Sequence, residues 1–173
     1  RVVRLKSGDP YIFGRGGEEG VKLVEAGVDF EVVPGITSAV AGLTYAGIPM
    51  TYRDVATSFH VFTAHLKDET EMLNWEAISK LKGTLVFLMG MKNLPTIVQE
   101  LTARGYGKDK PAAIVEWGTH PQQRSVDGTL GNIVELAEAE DFKAPSVIVV
   151  GDVVAYRQQL NFHENLPLFG RKI

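Results

Sequence analysis

The chain has 173 residues, with 45% hydrophobic and 23% charged residues, which is typical of a globular protein with one core or two small lobes. Its net charge of -3 argues against a general nucleic-acid binder, and no apolar stretch is long enough to predict a membrane span. The lack of cysteine excludes a disulfide framework, a thiolate nucleophile and a cysteine-based zinc site. No signal peptide opens the chain, so the cytoplasm is the default expectation.

The first part of the chain predicts alternating strands and helices. Two apolar segments are predicted strands, "RVVRL" (1–5) and "DFEVVPG" (29–35). Two segments are predicted helices, "GGEEGVKLVEAG" (16–27) and "TSAVAGLTYAG" (37–47). The first helix should end at its glycine, and Thr37 or Ser38 should cap the second. "IPMTYRD" predicts irregular backbone that leads to a hinge near residues 54–57.

A second cycle of the same kind follows. Strands are predicted at "SFHVFTAH", "TLVFLMG", "PAAIVEWGT" and "APSVIVV". Helices are predicted at "LNWEAISKLKG", at "NLPTIVQELTARG" with Pro95 in its first turn, and briefly after the last strand. "QRSVDGTLGNIVELAEAE" predicts a short strand, a turn at Asp127 and Gly128, and a helix. The alternation predicts two α/β lobes, of which the first is incomplete.

Glycine and small polar residues follow four of the predicted strands. The positions are Ser7 and Gly8, residues 35–38, Met89 and Gly90, and Gly118 and Thr119. Because the carboxyl ends of parallel strands meet at one edge of a sheet, these residues could line one cleft. Taken singly, each is more often a turn residue than a ligand contact, but four together favour a small-molecule site.

Two arginines lie near these glycine-rich segments. Arg15 is in the loop "SGDPYIFGRGGEE", and Arg53 lies near the expected hinge. Guanidinium groups suit carboxylates, although surface arginines exposed to solvent are the more common case. The four histidines are not at H-x-x-x-H spacing, so no metal site is predicted. Dinucleotide, phosphate-loop and nucleophile-elbow motifs are also missing.

Several segments closely resemble the tetrapyrrole-methylase family, in its uroporphyrinogen-III C-methyltransferase branch. They are "VVRLKSGDPYIFGRGGEE", "VVPGITSAVAGLTYAGIPMTYRD", "TLVFLMG", "AIVEWGT" and "QRSVDGTL", and the resemblance runs from Arg1 to about Phe162. It implies the two-domain α/β fold of class III methyltransferases and a homodimer. The expected division is residues 1–56 for the remainder of the N-terminal domain, 57–162 for the C-terminal domain and 163–173 for a tail or linker.

The resemblance also implies S-adenosylmethionine as cofactor, with S-adenosylhomocysteine as product. Its contacts would fall, in chain order, on Ser7, Gly8, Asp9, Ile12, Thr37, Ser38, Met89 and Gly118. Arg15 and Glu18 would face the tetrapyrrole as candidate catalytic residues, and Arg53, with His65 or Lys67, would bind substrate carboxylates. The implied reaction methylates two pyrrole carbons of uroporphyrinogen III in turn, giving precorrin-2 for sirohaem and cobalamin, without a metal.

Two alternatives stay open. The chain could methylate a later cobalamin precursor, or it could be a cofactor-binding fragment without catalysis. Ser7 stands where the family usually has glycine, and the family's amino-terminal strand and Gly-Pro-Gly-Asp-Pro loop are expected upstream of residue 1. The tail "LPLFGRKI" resembles the junction at which such enzymes are fused to uroporphyrinogen-III synthase.

Overall fold

The computed structural model describes residues 1–64 and 73–171. Within them the helices are α1 (Gly16–Glu25), α2 (Ser38–Tyr45), α3 (Trp75–Ile78), α4 (Leu94–Ala103), α5 (Ile133–Ala139) and α6 (Arg157–Leu160). The strands are β1 (Phe59–Thr63), β2 (Thr84–Leu88), β3 (Pro111–Glu116), β4 (Arg124–Thr129) and β5 (Ser146–Val150). Short 3₁₀ helices cover Met91–Asn93 and Asp152–Tyr156. His65 and Lys67 lie outside the described residues.

The five strands form one mixed sheet in the order β1-β2-β5-β3-β4. Strands β1 and β2 are parallel, whereas β5 runs antiparallel to both of its neighbours, β2 and β3. Strands β1, β2 and β3 therefore point the same way. Their carboxyl ends share one edge of the sheet, where β5 begins.

Apolar side chains cover both faces of this sheet. Along β2, Leu85 and Phe87 belong to a core with α4 and α5, whereas Val86 and Leu88 belong to a core with α2. Every residue of β2 is buried. A strand buried on both faces needs a continuous apolar sequence, which is why "TLVFL" and "SVIVV" read as unbroken hydrophobic runs.

Local chemistry explains where the helices begin and end. The Thr37 hydroxyl accepts a hydrogen bond from the Ala39 amide at 3.4 Å, so the predicted cap of α2 is confirmed. Pro95 lies in the first turn of α4, as predicted. The segment after α1 turns at Gly27, whose φ of 68° is left-handed. The helix predicted over residues 73–83 is shorter than expected and consists only of α3.

Three predictions of local structure are wrong. Residues 1–5 and 29–35 are not strands, because a strand needs a hydrogen-bonded neighbour and none of the described strands pairs with either segment. Asp127 and Gly128 do not form a turn but lie inside β4, paired with Ala113 and Ala112 of β3.

The longest helices in the described parts of the chain, α1 and α4, have 10 residues each. No helix there has the length and apolar character that a bilayer crossing requires.

Candidate functional site

A cavity of about 620 Å³ lies at the carboxyl ends of β2 and β3, beside the start of β5. Its volume is within the range of ordinary small-molecule sites, about 300–1,000 Å³. Seven of the eight residues predicted to contact a cofactor line it: Ser7, Gly8, Ile12, Thr37, Ser38, Met89 and Gly118. The structure therefore brings together segments that are far apart in sequence.

Backbone in the left-handed region marks the loops around the cavity. Phe13 has a φ of 53°, Met89 of 56° and Trp117 of 50°, and all three residues line the cavity. Such conformations in side chains of this size cost about 1–3 kcal/mol each and persist only where the surroundings enforce them. At Met89 and Trp117 the turns lie directly after β2 and β3, beside the cavity.

Buried polar contacts hold the end of β3. Glu116, the last residue of β3, is 5% exposed and accepts hydrogen bonds from the Lys143 amide at 3.1 Å and from the Arg124 guanidinium. The next residue, Trp117, donates its amide to the Pro145 carbonyl at 3.0 Å. The loop that begins at Trp117 is thus fixed against the start of β5.

Asp9 is the one predicted cofactor residue that is not among the described residues lining the cavity. Its carboxylate accepts hydrogen bonds from the amides of Tyr11 at 2.8 Å, Ile12 at 3.2 Å and Gly35 at 3.0 Å. These bonds, first that from Gly35 and then that from Tyr11, lower the pKa of Asp9 below its usual value. Asp9 therefore ties the first loop to the segment before α2, and Gly8 and Ile12 lie on that loop.

Glycine is required where these two segments meet. A Cβ atom on Gly35 would lie 2.0 Å from the carbonyl oxygen of Gly8, so no larger residue fits this close approach. Gly8 itself has a φ of 69°. This contact places Thr37 and Ser38 beside the first loop.

Arg15 and Glu18 bind each other. Their side chains form a salt bridge with 2.6 Å between Arg15 Nη2 and Glu18 Oε2, and the hydrogen bond to Glu18 raises the pKa of Arg15. Gly16 and Gly17 between them belong to the first turn of α1, within the helix predicted over residues 16–27. The two side chains are exposed and are not among the described residues that line the cavity.

Arg53 is exposed in the turn closed by the bridge between Tyr52 and Ala56. It too is outside the described lining of the cavity. Irregular backbone at residues 48–54 was predicted and is confirmed, whereas a hinge there stays a prediction. Over residues 1–64 and 73–171, no cluster of three or more His, Asp or Glu side chains could hold a metal ion.

Sequence reasoning missed other residues of the cavity. Phe13, Lys92, Trp117 and His120 line it, and the rings of Trp117 and His120 meet edge to face at 5.5 Å. Trp117 and Phe13 remain 42% and 44% exposed, which is unusual for rings of this size. Their positions next to predicted residues, Gly118 and Ile12, were the available signal.

Residues 1–134 match the family described as Tetrapyrrole (Corrin/Porphyrin) Methylases. The chain is 50% identical to a siroheme synthase of Thiobacillus denitrificans, over 94% of this chain and 34% of that protein. It is 47% identical to a uroporphyrinogen-III C-methyltransferase of Priestia megaterium, over 90% of this chain and 66% of that protein. The chain therefore spans one third of the first relative's length and just under two thirds of the second's.

A solved structure shows the same fold. The uroporphyrin-III C-methyl transferase of Thermus thermophilus, complexed with S-adenyl homocysteine, matches with a TM-score of 0.75 and 36% identity. The match covers 89% of this chain and 67% of that one, which confirms the predicted methyltransferase fold class. The chain belongs to the tetrapyrrole (corrin/porphyrin) methylase family.

Proposed function

We propose that this chain binds S-adenosylmethionine and transfers its methyl group to carbon atoms of a tetrapyrrole. The substrate proposed is uroporphyrinogen III, methylated at two pyrrole carbons to give precorrin-2. The observation that carries the proposal is the cavity at the ends of β2 and β3, because seven residues predicted to contact the cofactor line it. The names of the relatives support the same reaction class.

The residues around the cavity suit this cofactor. Left-handed backbone at Gly8, Met89 and Trp117 turns main-chain groups toward a ligand, where they can bind ribose hydroxyls and the amino-acid end of the molecule. Half-exposed apolar side chains of Ile12, Met89 and Trp117 would be covered by an adenine ring and a methionine chain. We assign Ser7, Thr37, Ser38 and Gly118 to the same contacts.

When bound, the cofactor would supply a methyl group from its sulfonium sulfur: a nucleophilic pyrrole carbon would form a bond to the methyl carbon as the bond from that carbon to sulfur breaks. S-adenosylhomocysteine would leave as a neutral sulfide, and the methylated macrocycle would lose one proton. The protein's contribution is then alignment of the two reactants in the cavity. The loop after β3, which is fixed against the start of β5, would help to hold the donor in place. No side chain needs to form a covalent bond in such a transfer.

We assign tetrapyrrole contacts to Arg15, Glu18 and Arg53. Arg15 lies two residues after Phe13, which lines the cavity, and its side chain is exposed to a substrate that approaches from solvent. Arg15 and Arg53 can each bind a substrate carboxylate through a charge-assisted hydrogen bond. Glu18, an acceptor when ionised, can bind pyrrole N–H groups once a substrate carboxylate replaces it as the partner of Arg15.

The homodimer, the cytoplasmic location, the fusion to a uroporphyrinogen-III synthase and the division of the chain at residues 56–57 and 162–163 belong to the proposal. They rest on the family resemblance. The greater length of the siroheme synthase relative supports further domains in proteins of this kind.

The test is a methylation assay on the full-length protein with S-adenosylmethionine and uroporphyrinogen III, with mass spectrometry to count the methyl groups added. Two additions support the proposal. Turnover of a later cobalamin precursor, with none of uroporphyrinogen III, would favour the first alternative. Binding of S-adenosylhomocysteine without turnover of either substrate would favour a cofactor-binding fragment.

A further inference from the structure

Gln123 is one of three buried polar residues in the described parts of the chain, with Thr84 and Glu116. Its side chain is 3% exposed and lies outside the cavity lining. Burying a side-chain amide costs free energy unless its hydrogen bonds are made. The hydrogen-bond partners of Gln123 therefore show which segments it connects.

All the polar atoms of the Gln123 amide are used. Its oxygen accepts a hydrogen bond from the Thr119 amide at 2.7 Å. Its nitrogen donates to the Tyr45 carbonyl at 3.1 Å and to Glu164 Oε1 at 2.9 Å. The orientation of the side chain is fixed, because a flipped amide would put N–H against N–H at Thr119 and oxygen against oxygen at Tyr45.

These bonds join two walls of the cavity. Thr119, with a left-handed φ of 73°, belongs to the loop of residues 117–120, from which Trp117, Gly118 and His120 line the cavity. Tyr45 is the last residue of α2, and Ser38, the first, also lines the cavity. One side chain therefore ties the loop to the helix by hydrogen bonds.

The third partner is itself anchored. Glu164 accepts hydrogen bonds from Arg157 Nη2 and Asn161 Nδ2, both at 2.7 Å. The ring of the neighbouring His163 packs edge to face on Tyr45, with 4.7 Å between the ring centroids. The segment after α6 thus holds Glu164 in position to accept the hydrogen bond from Gln123.

We propose that Gln123 is a positioning residue for the cofactor, which holds the loop of residues 117–120 against α2 so that the cavity keeps its bound shape. The inference rests on the proposed function for the identity of the ligand. The strained backbone at Trp117 and Thr119 needs such support, because without it these residues would relax toward ordinary conformations.

The test compares Gln123→Leu with Asn161→Ala in the full-length protein. Gln123→Leu removes all three bonds, whereas Asn161→Ala weakens the anchor of Glu164 without touching Thr119. Titration calorimetry should show S-adenosylhomocysteine binding about tenfold weaker in Gln123→Leu, the factor expected for about one lost hydrogen bond. Asn161→Ala should bind close to wild type, although both variants lower the melting temperature.

A second readout does not depend on the ligand. Trp75 is 7% exposed and Trp117 is 42% exposed. The difference in acrylamide quenching between each protein and the same protein carrying Trp117→Phe therefore reports on Trp117, whatever other tryptophans the full-length protein contains. Quenching should rise in Gln123→Leu and stay unchanged in Asn161→Ala. If Gln123→Leu does not fold, Gln123→Met gives the same decision, because it also removes the three hydrogen bonds while keeping nearly the same side-chain length.

The outcomes separate the two proposals. A wild-type protein that does not bind S-adenosylhomocysteine contradicts the proposed function, and the quenching comparison still decides whether Gln123 fixes the loop. Unchanged quenching in a folded Gln123 variant would overturn the positioning role. If the wild type binds S-adenosylhomocysteine, a Gln123 variant with the same affinity would also overturn it. So would an Asn161→Ala variant that loses as much affinity as the Gln123 variant.

Discussion

Gly42 of α2 and Gly118 after β3 meet backbone to backbone: a Cβ atom on Gly118 would lie 2.8 Å from the Cα of Gly42. Both residues line the cavity. Their contact sets how closely α2 approaches the loop after β3. It is the packing counterpart of the hydrogen bonds that Gln123 makes between the same two elements.

Gly118→Ala should therefore push these elements apart. The added methyl meets backbone, which cannot move aside as a side chain can, so we expect a loss of about 1–3 kcal/mol in unfolding free energy. Binding of S-adenosylhomocysteine should weaken about tenfold or more. Denaturant unfolding and calorimetry measure the two effects.

Gly17→Ala is the matched control, since nothing lies within 4 Å of a Cβ there and Gly17 is helical. It should raise stability by about 0.5–1 kcal/mol. A Gly118→Ala protein as stable as wild type, with unchanged affinity, would show that the contact does not control the cavity.

Much of the fold follows from the sequence. The apolar runs of β2, β3 and β5 and the capping and proline signals of α2 and α4 predicted those elements. Residues 1–5 and 29–35 have strand-like composition, but pairing depends on a neighbouring strand that local sequence does not specify. The Asp127-Gly128 dipeptide is a local turn signal, but β4 pairs with β3 along its whole length, and this pairing keeps both residues extended.

The candidate site was predictable where it follows strand ends. Met89 directly follows β2, and Gly118 is the second residue after β3. Both buried strands point the same way, so the meeting of these two residues was foreseeable. Gln123 was not, because its partners Tyr45 and Glu164 are 78 and 41 residues away in sequence. Nothing near "PQQR" signals such contacts. The mutual pairing of Arg15 and Glu18 is also a property of the folded chain.

The hydrogen bonds of the Asp9 carboxylate link the first loop to Gly35, and we expect this link to weaken in acid. Its folded pKa is lowered, so its contribution to stability is complete above the usual value of 3.8 and is lost as the pH falls through the lowered pKa. Asp9→Asn should lower the melting temperature at neutral pH and remove this part of the acid-induced decline. Melting curves recorded between neutral and strongly acidic pH measure the difference.

Asp29→Asn, at another exposed aspartate, serves as the control. Its melting temperature should fall with decreasing pH in the same way as that of the wild type. If Asp9→Asn and wild type lose stability in parallel as the pH falls, the bonds from Tyr11, Ile12 and Gly35 do not contribute as the geometry indicates.

Arg15 and Glu18 can be tested by separating stability from activity. Their side chains are 77% and 64% exposed, and pairs this exposed contribute little to stability, so Arg15→Ala with Glu18→Gln should barely move the melting temperature. If both residues contact the tetrapyrrole, kcat/KM for uroporphyrinogen III should fall about tenfold or more.

The control for that pair is on the same helix. Lys22 and Glu25 form an equally short exposed pair, and Lys22→Ala with Glu25→Gln should leave both stability and methylation near wild type. Full methylation activity in the Arg15 and Glu18 double variant would rule out the substrate role.

Arg53→Ala should impair use of the tetrapyrrole and leave binding of the cofactor unchanged. Loss of a charge-assisted contact to a tetrapyrrole carboxylate costs about 1.5–3 kcal/mol, which corresponds to about tenfold or more in kcat/KM. Affinity for S-adenosylhomocysteine should stay the same, because Arg53 is outside the cavity lining. Arg104→Ala, at the residue that follows α4, is the control. Kinetics of Arg53→Ala equal to wild type would reject the assignment.

The decisive experiment is a structure of the full-length protein with S-adenosylhomocysteine. We expect the ligand in the cavity at the ends of β2 and β3, in contact with Gly8, Thr37, Met89 and Gly118. Half-exposed Met89 and Trp117 should become covered. A ligand bound elsewhere, or no binding by the full-length protein in titration, would refute the cofactor site proposed for this cavity.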